Sequence, residues 1–197
     1  MAGKSEEVYL LAKRKIHYLG SVSSGENKAL LAEIRHGAGK QPGDDPRLWG
    51  ILFDNMPENM MSSRGVPTYE EWAIYIALTM YAVHQQGHDV KTDNMNVDGM
   101  SIGKAVAMLV TGEDDKERVE RRFNNLATAD SMQGVSHYLR ELIHLLRAED
   151  IGLDYALLAK DLYMYQFSEL AAVVRLHWGQ DFYSVLNKKN KEASENE

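Results

Sequence analysis

The sequence predicts an all-α protein of two packed small helical bundles, with about eight to nine helices in all. Three observations carry that expectation. Apolar residues recur at helical spacing through nearly every segment, no stretch of any length alternates apolar and polar residues as a half-buried strand does, and capping residues stand where the periodic segments begin.

The first helix is expected over about Ser5 to Leu19, with Val8, Leu11, Ala12, Ile16 and Leu19 near one side and Lys13, Arg14 and Lys15 largely outside it. Gly20 to Gly25 ends it. A second helix runs from Glu26 to His36 on Leu30, Leu31 and Ile34, and Gly37 is placed to terminate it in a left-handed cap. Pro46 opens a short helix, PRLWGILFDN, in which Leu48, Trp49, Leu52 and Phe53 are expected to form an apolar anchor. Residues 56–67 read as a mobile connection. Thr68 with Glu71 makes a capping box for YEEWAIYIALTMYAVHQQ, which is apolar around nearly its whole circumference and should be the central helix of the amino-terminal half. Gly87 closes it, and a polar loop from His88 to Gly99 leads to Ser101, the N-cap of SIGKAVAMLVTG. That loop divides the chain into an amino-terminal subdomain, residues 1–99, and a carboxy-terminal subdomain, residues 100–187. Asp154 and Ser168 are expected to cap the last two helices, and residues 188–197 to form a disordered charged tail.

Between Met100 and Arg147 three consecutive helices carry arginines at helical spacing. Arg118, Arg121 and Arg122 stand at i, i+3 and i+4 and are expected to share one face, with Val119, Phe123 and Leu126 on another. The following helix has Val135, Leu139, Leu142 and Leu146 inward and His137, Arg140, His144 and Arg147 to one side. Glu113, Asp114, Asp115, Glu117 and Glu120 alternate with the cations, so a solvated helix laced with ion pairs competes with a functional basic surface. The acids lie mainly at the helix start, where the helix dipole favours them.

A formal charge of −7 argues against a protein whose whole surface binds nucleic acid. Local field is a separate matter, because a Debye length of about 8 Å isolates the central helices from the acidic tail. There is no cysteine, which excludes disulfides, thiolate metal sites and cysteine nucleophiles. No apolar run approaches the roughly 20 residues that span a bilayer, and the amino terminus lacks the order of a signal peptide. A soluble, cytoplasmic protein without membrane association is expected.

Other constellations are weaker. His84, His88 and Asp89, with His36 and Asp161 in reserve, suggest a metal-dependent phosphohydrolase of helical fold, but Gly87 breaks the helix that would orient them, and a histidine at a helix end is the simpler reading. Asn94, Asn96, Asp98 and Gly99 imitate half of a calcium loop whose bidentate Glu would fall on Ala105. Gly37, Gly39 and Lys40 lack both the hydroxyl residue and the preceding strand of a phosphate loop. Tyr163, Tyr165, Trp178, Phe182 and Tyr183 read as core aromatics before they read as base-stacking groups. Neither a metal nor a cofactor is expected.

A series of ordered motifs goes further: ALLAEIRHGAG with PRLW at residues 29–49, ALTMYAVHQQ at 77–86, MSIGKAVAML at 100–109, VERRFNNL at 119–126, HYLRELIHLLR at 137–147, and LDYALLAKDLYMY with WGQDFY at 153–183. In these blocks the chain resembles the CasB family, the small subunit of the type I-E CRISPR surveillance complex Cascade. The resemblance implies a subunit with no catalytic activity of its own, present as a head-to-tail pair beside the backbone and large subunits. Its basic surfaces would line the path of guide RNA and target DNA and hold the displaced non-target strand of the R-loop by phosphate contacts, in antiviral defence. By motif, Arg35, Lys104, Arg121, Arg122 and Arg140 occupy the basic places, and Arg118 and Arg147 join them from the same helical faces.

Overall fold

The helix Tyr69–His84 (α4) is the axis of the structure, a computed structural model that describes residues 2–195. Every residue of α4 from Ala73 to His84 is buried, as its all-round apolarity requires. Around it lie Ala2–Ser21 (α1), Ser24–His36 (α2), Trp49–Phe53 (α3), Met132–Ala148 (α7) and Tyr155–Tyr165 (α8). Ile102–Met108 (α5), Glu113–Ala127 (α6) and Ser168–Glu195 (α9) complete the fold, with single 3-10 turns at Pro46–Leu48 and Glu58–Met60. The described residues contain no strand, only an isolated parallel bridge between Asn96 and Leu153.

The capping box forms as expected: Thr68 accepts from the Glu71 amide at 3.0 Å and Glu71 accepts from the Thr68 amide at 2.7 Å. The same two side chains also tie down residues 56–67, which are not the mobile connection expected. Glu71 accepts from the Ser62 amide at 2.9 Å, Thr68 donates to the Met60 carbonyl at 2.7 Å, and Met56 and Met60 are buried. In the short anchor, Leu48 and Leu52 face inward at i and i+4, but Trp49 sits one position on and is 50% exposed. Gly37 is a further correction. Its φ is −80°, so no left-handed cap forms; instead a Cβ there would collide with Leu48 Cδ1 and lie 2.7 Å from the Tyr75 hydroxyl. Glycine is required at this position for closeness, not for handedness.

Across the expected boundary at residue 99 the apolar core is continuous, running from Val8 on α1 to Leu186 on α9. The principal bridges are α1 and α4 against α8, and α4 against α7. The polar loop is held by its own side chains. Asp154 accepts from the Gly99 amide at 2.8 Å with one oxygen and caps α8 through the Leu157 amide at 2.9 Å with the other. Asn96 accepts from the Tyr155 amide, and Gln85 grips Met95 and Asp93 through their backbone. Such groups cannot be left unpaired beside a core, and they fix the loop between the two helical groups.

α5 packs on α9 with almost no gap, since a Cβ on Gly103 would collide with the Trp178 carbonyl oxygen. Ser168 is the first helical residue of α9, not its cap, and the Phe167 carbonyl accepts the Ala171 amide at 2.8 Å. Residues 188–195, expected to be disordered, continue α9 as helix to Glu195. Lys189 explains part of that order by donating to the carbonyls of Ala107, Met108 and Val110 at the end of α5. Asn196 and Glu197 lie outside the described residues. No described helix is long and apolar enough to cross a membrane.

Candidate nucleic-acid interface

Three of the seven cations singled out in the sequence are brought together by the fold. Arg35 leaves α2 and Arg147 leaves α7, and both reach the last turn of α4. The Arg147 guanidinium donates to the Val83 carbonyl at 3.2 Å and to Gln86 Oε1 at 3.0 Å; Arg35 makes a longer contact of 3.5 Å to the Ala82 carbonyl. The free carbonyls and negative dipole end of α4 explain how two like charges are tolerated there. Burial, reinforced by the charge of Arg147, pushes the Arg35 pKa down from its ordinary value. Arg140 stands on α7 two turns before Arg147, with its guanidinium beside Gly39 in the loop that follows α2. His144 lies between them on the same face, and partial burial, then Arg147 and Arg140, depress its pKa.

Among the described residues no carboxylate lies within ion-pair distance of Arg35, Arg140 or Arg147. Each guanidinium has five donors, more than the bonds to Val83, Gln86 and Ala82 use, and its planar fork matches phosphate oxygens. Arg35 also enters the wall of a cavity of 390 Å³ together with Lys28 and Lys91. Sequence reading missed both lysines. Lys28 was accessible to it, standing seven residues before Arg35 on one side of α2; Lys91 comes from a loop and carries no periodic signal.

The α6 arginines lie along one side of the helix, as their i, i+3 and i+4 spacing requires, but at different depths. At 100° per residue, Arg122 falls beside the Val119, Phe123 and Leu126 stripe, whereas Arg121 falls nearly opposite it. Accordingly Arg121 is exposed, and Arg122 is half-buried, its Nη1 sealed from solvent and without a hydrogen-bond partner among the described residues. Arg118 is paired with Asp115, whose carboxyl is held below the usual range by Thr111 and then Arg118. The competing ion-pair reading is therefore right for Arg118 and not for Arg121. The side chains of Glu113 and Asp114 lie outside the described residues. Lys104, half-buried on α5, shares no hydrogen bond or ion pair with the α2–α7 cluster.

The metal-site alternative is dispersed by the fold. His84 is fully buried, its Nδ1 lies 2.7 Å from the Tyr155 hydroxyl, and desolvation pushes its pKa down to about 4. His88 turns away, to Asp93 at 2.5 Å and Asp150 at 3.7 Å. Asp89 accepts from the Lys91 amide, and Asp161 is committed to the Trp178 indole at 2.7 Å. No three His, Asp or Glu side chains among the described residues are grouped to hold a metal. The calcium-like loop also diverges, because Asn94 accepts from Tyr81, Asn96 faces Tyr155 and Asp98 pairs with Lys13. Of the aromatics, Tyr163, Tyr165, Trp178 and Phe182 are core and Tyr183 is exposed.

The fold and this surface define an all-helical protein with a cationic seam across two helices, and comparison with known proteins gives its family. The family model described as CRISPR-associated protein Cse2 matches residues 30–183. CasB from Thermobifida fusca is 31% identical, with 89% of this chain and 97% of that one covered and a TM-score of 0.73. A Cse2-family CRISPR-associated protein from Thermus thermophilus shares the fold at 23% identity and a TM-score of 0.65, covering 91% of this chain and 97% of that one. CasB from M. ruber does so at 23% identity and a TM-score of 0.66, covering 92% and 97%. Comparison with curated proteins gives no match. The chain belongs to the CRISPR-associated Cse2 family, also called CasB.

Proposed function

We propose that the chain is the non-catalytic small subunit of a Cascade complex, and that the seam of Arg35, Arg140 and Arg147 holds backbone phosphates of a nucleic-acid strand in the R-loop. The observation that carries the reading is the convergence of Arg35 and Arg147 on the last turn of α4 without a carboxylate. The carbonyls of α4 satisfy part of each guanidinium but carry no full negative charge, so the pair keeps a net positive charge that a phosphate would complement. Family membership supplies the context: base pairing with the guide reads sequence, so the protein needs only to grip backbone. Within that reading Arg121 and Lys104 extend the basic surface, Arg118 contributes little while paired, and Arg122 acts as a packing residue. A second copy and the backbone and large subunits would complete the groove.

The test is R-loop lifetime in the reconstituted complex across a salt series, with Arg140→Ala and with Arg121→Ala. A shortened lifetime for Arg140→Ala, closing toward wild type as salt rises, supports the reading. An unchanged lifetime at every salt concentration overturns it.

A further inference from the structure

The face of α7 that bears His137, Arg140, His144 and Arg147 continues one turn toward the amino terminus to Gln133, seven residues before Arg140. Gln133 belongs to the wall of a groove of 620 Å³, within the range of roughly 300–1,000 Å³ typical of ligand sites. Gln41, two residues beyond the Gly39 that lies against Arg140, lines the same groove. One loop thus borders both the basic seam and this cavity.

The groove differs in chemistry from the seam. Its floor and rim include Val66, Tyr69 and Trp72, of which Val66 is 71% and Tyr69 51% exposed. Tyr69 is nevertheless fixed: Phe167 meets its ring edge-on at 4.9 Å, and Gln166 donates to its carbonyl at 2.8 Å. On the far wall Arg175 lies 5.8 Å from the Tyr165 ring, whose hydroxyl is held against the Ala127 and Ala129 carbonyls. The carboxylate of Asp130 also lines the groove, leaving it near neutral with Arg175. A neutral, aromatic, amide-edged cavity at the end of a cationic track suits the part of a nucleotide that is not phosphate.

We propose that this groove seats an unpaired nucleobase of the strand whose phosphates lie along α7, stacked on Tyr69 or Trp72 with its polar edge toward Gln41 and Gln133. The inference rests on the phosphate reading above, and it adds a base-directed contact to a backbone-directed one. From Gln133 to Arg147 the helix rises about 21 Å, enough for several nucleotides of an extended strand. Stacking on an aromatic tolerates any base, because each has a π-face, and amides at its edge accept either donors or acceptors. The contact therefore adds affinity for single strand over duplex without sequence choice.

The experiment measures binding of the full chain, at low salt, to a labelled oligothymidylate and to an abasic oligonucleotide of the same length and charge. Wild type should bind the base-bearing strand roughly tenfold more tightly. Tyr69→Ala should erase that difference and leave abasic binding unchanged, while Arg140→Ala should weaken both strands in a salt-dependent way. Circular dichroism confirms that each variant keeps its fold, and Tyr69→Phe should restore the preference. Equal wild-type affinity for the two strands, with salt-dependent binding intact, overturns the base site and leaves the phosphate seam standing. Absence of binding to either strand overturns the base site, while the phosphate seam is tested separately by R-loop lifetime in the assembled complex. A preference that survives Tyr69→Ala but is lost in Trp72→Ala places the stack on Trp72, and one that survives both substitutions overturns the groove as the base site.

Discussion

His84 on α4 and Tyr155 on α8 meet at 2.7 Å between imidazole Nδ1 and phenol oxygen, both fully buried, and so join the amino-terminal and carboxy-terminal helices through one polar contact. Nothing aqueous reaches either ring. Desolvation, aided by the charges of His88 and Arg147, pushes the His84 pKa down to about 4, while burial drives the Tyr155 pKa well up. The neutral pair is what the core accommodates.

The first prediction concerns acid stability. The folded state binds a proton on His84 only near pH 4, whereas the unfolded chain binds one near the ordinary 6.5. The contribution is therefore complete above about pH 6.5 and is lost as pH falls toward 4. Its full size is about 3 kcal/mol, from roughly 1.4 kcal/mol per pH unit. Urea titrations from pH 7.5 to 4.5 should show stability falling through this window, and His84→Gln should flatten the profile between pH 6.5 and 5. An identical slope in the variant would assign the acid sensitivity elsewhere.

Asp161 acts in the opposite sense. Burial raises its carboxyl to about 6 even though the Trp178 indole donates to it, so the folded state holds a proton that the unfolded state has already released. Its contribution is present below the ordinary carboxylate value and is lost as pH rises through about 6. Asp161→Asn keeps the acceptor for Trp178 and removes the buried charge, so it should stabilise the chain at pH 7.5 by about 1–3 kcal/mol, with no gain below pH 4. Loss of stability at pH 7.5 would show that the carboxylate has compensation beyond Trp178.

Contact between α5 and α9 leaves no room for a methyl group. Gly103→Ala places a carbon against the Trp178 carbonyl oxygen and Asp181, rigid backbone on one side. A loss of about 2–4 kcal/mol is expected, with the midpoint of denaturation lowered at constant slope. Gly179→Ala, on α9 beside Trp178 and open to space, serves as the control and should change little.

At the interface the prediction is thermodynamic. Arg140 is exposed and makes no ion pair among the described residues, so Arg140→Ala should leave thermal stability within about 0.5 kcal/mol of wild type. Its removal should lower the slope of log K against log salt by about 1 for single-stranded DNA. Arg118→Ala, which breaks the pair with Asp115, should alter that slope far less. Equal effects of the two substitutions would remove the distinction drawn between paired and unpaired cations.

Much of the fold was readable in sequence because it rests on local rules. Thr68 with Glu71, Ser101 and Asp154 announced their helices by cap chemistry, and the inward stripe of α7 followed from its period. The misreadings share a cause in contacts between residues distant in the chain. Gly37 does end α2, but in the right-handed region and under Leu48 and Tyr75, and the supposed mobile stretch before Thr68 is held by Glu71 in its second role. Lys189 looked like tail until it met the end of α5. At the site, periodicity places the α6 arginines on one side of a helix but gives neither depth nor partner: Arg122 is half-buried and Arg118 is paired with Asp115. Arg35 and Arg147, 112 positions apart in the numbering, came together only through the last turn of α4.

That last turn has a thermodynamic corollary. Arg35 and Arg147 are spaced by carbonyls of the most deeply buried helix, so a strand held between them is held, in effect, by the core. Binding and folding then become linked quantities. Occupancy of the seam by the proposed strand would raise the melting temperature by mass action, and anything that loosens α4 at its carboxyl end would weaken that grip before the chain unfolds. Heat tolerance and strand retention would accordingly rise and fall together across variants of this subunit, including variants altered far from any phosphate.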